Sequence, residues 1–215
     1  MSLVNAGPTP PGVRPPLQAR SRKALQKVLA AAEDVLAADG FDEFTMTAVA
    51  ERAGVSVGAI YRRFDGKEQL LAAVKDRLLS QLEEDLAERL RTADPSLQGV
   101  VDAFATAIAG AFEAGGQVWP DLLRSTGKSL EERGRQALES VRQLFEQASG
   151  QYRGEVRRPD PAAALAAVER MITGALIHRA SMESSSRDEI PMQTYARQLS
   201  DMAVAYLLTP DSRGK

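Results

Sequence analysis

From residue 21 to residue 208, apolar side chains recur at every third or fourth position, and the every-second-residue alternation of a half-buried strand never persists. A period near 3.6 lines side chains along one face of an α-helix, whereas a strand needs a period of two. That property restricts the chain to helices packed on helices. Leu25, Val28, Leu29, Ala32, Val35 and Leu36 predict a first helix over about 21–39, with Gly40 as its left-handed C-cap. Thr45 and Ser56 stand as N-caps of two short helices, the first ended by Gly54 and the second running to about Phe64. Leu70, Val74, Leu78, Leu82, Leu86 and Leu90 repeat at intervals of four, a long fourth helix ended by Asp94-Pro95. Further helices are expected near 96–114, 119–126 with Pro120 near N1, and 128–149 closed by Gly150. Two more run from Asp160-Pro161 to about Ser184 and from Pro191 to Leu208. The fold class is all-α, with three helices in front and six behind.

Ahead of these helices, residues 1–20 hold Pro8, Pro10, Pro11, Pro15 and Pro16. Proline lacks the N–H donor and fixes φ, so this stretch reads as a flexible arm ending in the basic Arg20, Arg22 and Lys23. The chain has no cysteine and one histidine, His178, among its 215 residues. Disulfides, thiolate metal sites and multi-histidine sites are thereby excluded, and a Ser-His-Asp centre would have to run through His178. With no paired-carboxylate or glycine-rich phosphate motif either, we expect no enzyme, no cofactor and no metal. The longest apolar runs fall short of the roughly 20 residues of a membrane span, and no secretory h-region is present. A cytoplasmic protein with no membrane partner is expected. The net charge of −2 hides an asymmetry, +2 over residues 1–80 and −4 over residues 81–215.

The stretch from Thr45 to Phe64 carries the functional signal. Val49, Ala50 and Ala53 share one apolar face of a two-turn helix, and Gly54 supplies the positive φ of a tight turn. Val55 plugs the angle between two helices, and Ile60 packs back on Ala50, whose small side chain lets the helices cross closely. This is a helix-turn-helix, whose second helix can enter a DNA major groove. Ser56, Val57, Gly58 and Ala59 are small, so that helix can approach base edges. No carboxylate occupies its first turn, where the helix dipole would favour one. Tyr61, Arg62, Arg63 and Lys67 follow on the same side.

Ala53-Gly54-Val55-Ser56, Ile60-Tyr61-x-x-Phe64 and Lys67-Glu68-x-Leu70 resemble the TetR family of bacterial transcriptional regulators. Gly40-Phe41 and Thr45-x-x-x-Val49-Ala50 fit the same pattern, so the resemblance covers about residues 22–75. It implies a helical homodimer that binds a palindromic operator in double-stranded DNA, with a small-molecule inducer in a variable C-terminal part. Carried over by position, it implies base reading by Ser56 to Ala59 and phosphate contacts from Thr45, Thr47, Tyr61, Arg62 and Lys67. Arg63 stands where the family often has histidine, and we add Arg22 at the end of the basic arm to the expected DNA-binding set. The implied organisation is an arm (1–20), a helix-turn-helix domain (21–66), and a six-helix ligand-binding and dimerisation domain (67–215). Repression is the favoured sign, since the family has activators too.

Residues 81–215 carry no nameable motif, but they show burial on more than one side. The helix after Pro161 is apolar on several faces (Leu165, Val168, Met171, Ile172, Ala175, Ile177), and the last helix offers Tyr195, Leu199, Met202, Ala203, Tyr206 and Leu207. One chain covers one face of each, so a second copy in a two-fold four-helix contact would cover the other. The expected inducer-cavity residues are Phe104, Ile108, Phe112, Trp119, Leu123, Phe145, Met171 and His178, gated by Gly115-Gly116 and the short helix near Trp119. The inducer's identity stays open. An alternative function is a helical dimer acting through protein partners with a disused DNA-binding head.

Overall fold

A computed structural model describes residues 17–124, 127–182 and 190–210. The proline-rich part of the arm, up to Pro16, and the polar loop at 184–188 lie outside the described residues. Within them there are nine α-helices and no strand. They are α1 (Leu17–Glu43), α2 (Met46–Ala53), α3 (Val57–Tyr61), α4 (Lys67–Arg91), α5 (Leu97–Gly115), α6 (Val118–Arg124), α7 (Lys128–Ser149), α8 (Pro161–Ser181) and α9 (Met192–Leu208). No helix among the described residues is long and apolar enough to cross a membrane.

Local chemistry sets most of the boundaries. Thr45 and Ser56 are extended N-cap residues whose hydroxyl oxygens accept from the N–H groups of Ala48 at 3.1 Å and Ala59 at 3.2 Å. Ser96 caps α5 through Gly99 N–H, and Asp160 caps α8 through Ala163 N–H with Pro161 in the first turn. Gly54 adopts φ 60° and ψ 43°, and its N–H reaches back to the carbonyls of Ala50 and Glu51.

Several boundaries differ from expectation. α1 begins at Leu17, inside the stretch assigned to the arm. Gly40 has φ 76° but ψ −177°, which is not the left-handed helical cap. The chain kinks there and forms a further short turn that carries Phe41 and Phe44 under α4. The regular part of α3 ends at Tyr61, although Arg63 and Phe64 still donate to the Ile60 carbonyl. Pro120 falls in the third position of α6 rather than the first. Gly150 does not end the helical path: with φ −57° it opens a 3₁₀ stretch, Gly150–Glu155.

Two hydrophobic cores result. The head core joins α1 (Val28, Ala32, Val35, Leu36), Phe44, α2 (Val49, Ala50, Ala53) and Ile60 to the start of α4 (Leu70, Leu71, Val74). The body core is built round α5, which lies along α9 and against α4, α7 and α8. α4 belongs to both, because its stripe continues through Leu79, Leu82 and Leu86 into the body. α6 does the same over a single turn: Val118 and Leu122 face the head, and Trp119 faces the body.

The Trp119 indole donates to the Ala111 carbonyl at 3.0 Å and meets Phe112 edge to face at 4.9 Å. It lies directly on Gly115, where a Cβ would overlap the indole nitrogen. Gly115→Ala should therefore displace the chain's one tryptophan. We expect a loss of about 1–3 kcal/mol of stability together with a red-shifted emission. A thermal melt and an emission scan read both, and an unshifted spectrum would contradict this packing.

Candidate functional site

The helix-turn-helix presents one polar edge. Thr45, Thr47, Ser56, Gly58, Tyr61, Arg62 and Arg63 are exposed, Tyr61 by 52%. Val57 and Ala59 are half-buried, and Val57 packs against the head core. A Cβ built on Gly58 meets nothing within 4 Å, so the first turn of α3 is open to whatever approaches it. The Thr45 and Ser56 hydroxyls accept their capping bonds, which leaves each O–H proton to donate outward. α2 and α3 both lack an acidic side chain in their first turns, and their unbonded N–H groups and dipoles favour an anion there. The geometry suits phosphate groups flanking a helix tip that is narrow enough to reach base edges.

The basic side chains are not equivalent. Arg62 and Arg22 are exposed. Arg63 Nη2 donates to Ser21 Oγ at 3.0 Å and ties α1 to the end of α3. Lys67 is half-buried: its Nζ donates to the Phe41 carbonyl at 2.8 Å and lies 4.1 Å from the centre of the Phe41 ring. The cation thus pins the turn after Gly40 to the start of α4. Sequence reasoning gave Lys67 a phosphate role only, because the kink that brings Phe41 under it is not visible in a helical repeat.

Behind the head, a cavity of about 180 Å³ lies between α4, α5, α6, α7 and α8. Ile108, Phe112, Trp119 and Leu123 line it as expected. Phe104 and Phe145 do not. They pack on each other at 4.6 Å within the body core, one turn before Ile108 along α5 and one turn beyond Val141 along α7. Met171 and His178 do not line it either: seven residues apart on α8, they share its exposed outer face, while Thr173 and Ile177 take the inner one. Leu79, Leu82, Ala137 and Val141 complete the apolar wall, and Lys75 and Gly134 were missed entirely. The signal for Lys75 was present, since it interrupts the stripe Leu71, Lys75, Leu79 at four-residue spacing. Larger, more open surface hollows are lined by several charged side chains, among them Glu68, Lys128 and Arg135.

Lys67 and Arg62 should separate in the free protein. Lys67→Ala loses a charge-assisted hydrogen bond and its stacking on the Phe41 ring, so we expect about 1–3 kcal/mol of lost stability. Arg62→Ala should stay within about 0.5 kcal/mol of wild type, as exposed substitutions do. Urea titrations of both variants check this, and equal midpoints would remove Lys67 from its structural role.

These features agree with the comparisons to known proteins. The model of bacterial regulatory proteins of the tetR family matches residues 28–74. Over 168 residues the chain is 30% identical to the HTH-type transcriptional regulator BetI of Cronobacter sakazakii, covering 75% of this chain and 79% of that one. Among solved structures, a TetR transcription regulator from Haloarcula marismortui superposes with a TM-score of 0.69 at 19% identity, over 86% of this chain and 97% of that one. The transcriptional regulator FadR from Bacillus subtilis, in complex with stearoyl-CoA, gives 0.66 at 19%, over 84% and 98%. The chain belongs to the TetR family, and it is a DNA-binding transcriptional regulator rather than an enzyme.

Proposed function

We propose that the protein is a homodimeric repressor that leaves a palindromic operator when a small molecule fills the cavity behind its head. The observation that carries this reading is the double membership of α4. Its first residues hold the head through Lys67, Leu70 and Leu71, and eight residues after Lys67 the same helix lines the cavity. A ligand that shifts α4 moves the head with it. Two heads must present their recognition helices about 34–36 Å apart to enter successive major grooves. A small rotation spoils that spacing, and the ligand acts by favouring the conformer that DNA does not bind.

In this reading residues 21–66 form the DNA-binding unit and 67–215 the effector and dimer unit, with α4 shared between them. Ser56 to Ala59 meet base edges. Thr45, Thr47, Tyr61 and Arg62 hold phosphates, joined by Arg22, Arg63 and the outward donors of Lys67. The stearoyl-CoA of the Bacillus subtilis regulator does not carry over, because a cavity of about 180 Å³ is far too small for a long acyl chain.

The dimer reading rests on the outer face of α8 and α9. Met171, Gly174 and His178 are exposed on α8, and Met202 and Tyr206 on α9, with Met202 55% accessible. Large apolar side chains grouped on one face mark an interaction surface, and a two-fold contact pairs the two helices with their copies.

Sedimentation at micromolar concentration should give about twice the 23.2 kDa chain mass, and Met202→Glu should lower it toward the monomer. A monomeric wild type would sink the dimer reading. Gel shifts with the DNA upstream of the protein's own gene should show salt-dependent binding. Arg62→Ala should flatten the salt slope by about one unit for each phosphate that Arg62 neutralises. Gly58→Leu should leave the free protein's melting temperature within a few degrees of wild type and abolish the preference for operator over random duplex. If Gly58→Leu unfolds the protein, or keeps full preference, α3 is not the reading helix.

A further inference from the structure

The cavity wall has one feature that its apolar character does not account for. Lys75 reaches it from α4 and is only 6% exposed. Its Nζ donates to the Leu122 carbonyl of α6 at 3.3 Å, a long bond. No carboxylate stands within ion-pairing distance of it among the described residues, so two of its three donors have no protein acceptor there. Burial pushes its pKa below the ordinary lysine value, against the opposing pull of the Glu131 carboxylate on α7. A buried cation without a counter-charge is costly, and an apolar side chain of the same volume is normally the more stable choice.

Space is kept around that ammonium. Gly134 of α7 faces it, and a Cβ there would stand 3.7 Å from Nζ. The other polar group in the wall, the Thr173 hydroxyl, already donates to Glu169 at 3.2 Å. Among the described residues that line it, Lys75 is therefore the one charged group, with donors to spare, turned on an apolar chamber walled by Ile108, Phe112 and Trp119. Volume limits what fits: an engineered apolar cavity of about 150 Å³ takes a single benzene ring.

We infer that Lys75 is the anion-binding residue of this cavity, and that its ligand is a small apolar carboxylate, one ring or a short chain ending in –COO⁻. This rests on the reading of the cavity as the effector site. The carboxylate supplies the counter-charge the protein withholds, while the apolar body packs on Phe112 and Trp119. It also competes with the Leu122 carbonyl for the ammonium. Leu122 is fully buried in the head core, so its release from Lys75 loosens α6 where it wedges between the two cores.

The test uses the full chain with benzoate, phenylacetate and hexanoate as probes, each paired with its neutral primary amide, and reads binding by calorimetry and Trp119 emission. At least one carboxylate should bind wild type and outcompete its amide by about tenfold or more, and Lys75→Met should remove that preference. Lys75→Gln serves as a second variant should the methionine fail to fold. The inference is overturned if none of the three carboxylates binds, if the amides bind equally well, or if the folded variants keep the carboxylate preference. Gel shifts in the same ligands separate it from the regulatory reading. Lys75-dependent binding that leaves operator affinity unchanged keeps the anion site and removes the switch. Operator binding released by other compounds, with no carboxylate bound, keeps the switch and removes the anion site.

Discussion

The apolar stripe of α4 is buried against two different cores, and the rest of the molecule is arranged around that double commitment. Leu70, Leu71 and Val74 close the head, and Leu79, Leu82 and Leu86 enter the body. Between the two sets stands Lys75, the one charged residue in the stripe that is buried. Along the flank of the same stripe, Arg133 of α7 clamps α4 at three points. Its Nε donates to Asp76 at 2.6 Å, and its terminal nitrogens to Glu83 at 2.9 Å and Ser80 at 3.2 Å. A helix held so firmly along its length moves as a rod, and a rod transmits displacement without absorbing it. α6 supplies the complementary part, a single turn whose side chains are divided between the cores and which a small change can shift.

The head achieves its shape with little material. α2 and α3 have eight and five residues, too few to be stable alone. Two hydroxyl caps, the left-handed Gly54 and the burial of Val49, Ala50 and Ile60 make up the difference. Because the inner faces do all the holding, the outer face of α3 carries no structural duty. That explains why small side chains are tolerated at Gly58 and Ala59, and why Lys67 and Arg63, which do brace the head, sit at the edges of this exposed face.

The outer face of the body poses the opposite problem. Met171, Met202, Tyr206 and Leu208 are exposed by 40% or more on helices whose inner faces are already packed. Arg158 stacks on the Tyr206 ring at 4.4 Å and screens part of that surface. Met171 on α8 and Met202 on α9 stay exposed beside charged neighbours such as Arg170 and Asp201.

The helices, their order and the helix-turn-helix were legible in the residues themselves. Helical periodicity, capping hydroxyls and a positive-φ glycine act over three or four residues and leave their mark at that range. Thr45, Ser56, Gly54 and Asp160 behave as their chemistry requires wherever the chain places them. The kink at Gly40, the Lys67–Phe41 anchor and the membership of the cavity depended instead on which helix faces lie opposite one another. Phe104, Phe112 and Phe145 look alike in sequence, yet two stack on each other and one opens onto a chamber, because the neighbouring helices close over one stretch of the α5 stripe and leave the next stretch open. A lysine in an apolar stripe signals cost from sequence alone; only the packing of α4 against α6 and α7 decides that its ammonium meets a carbonyl, a glycine and empty space.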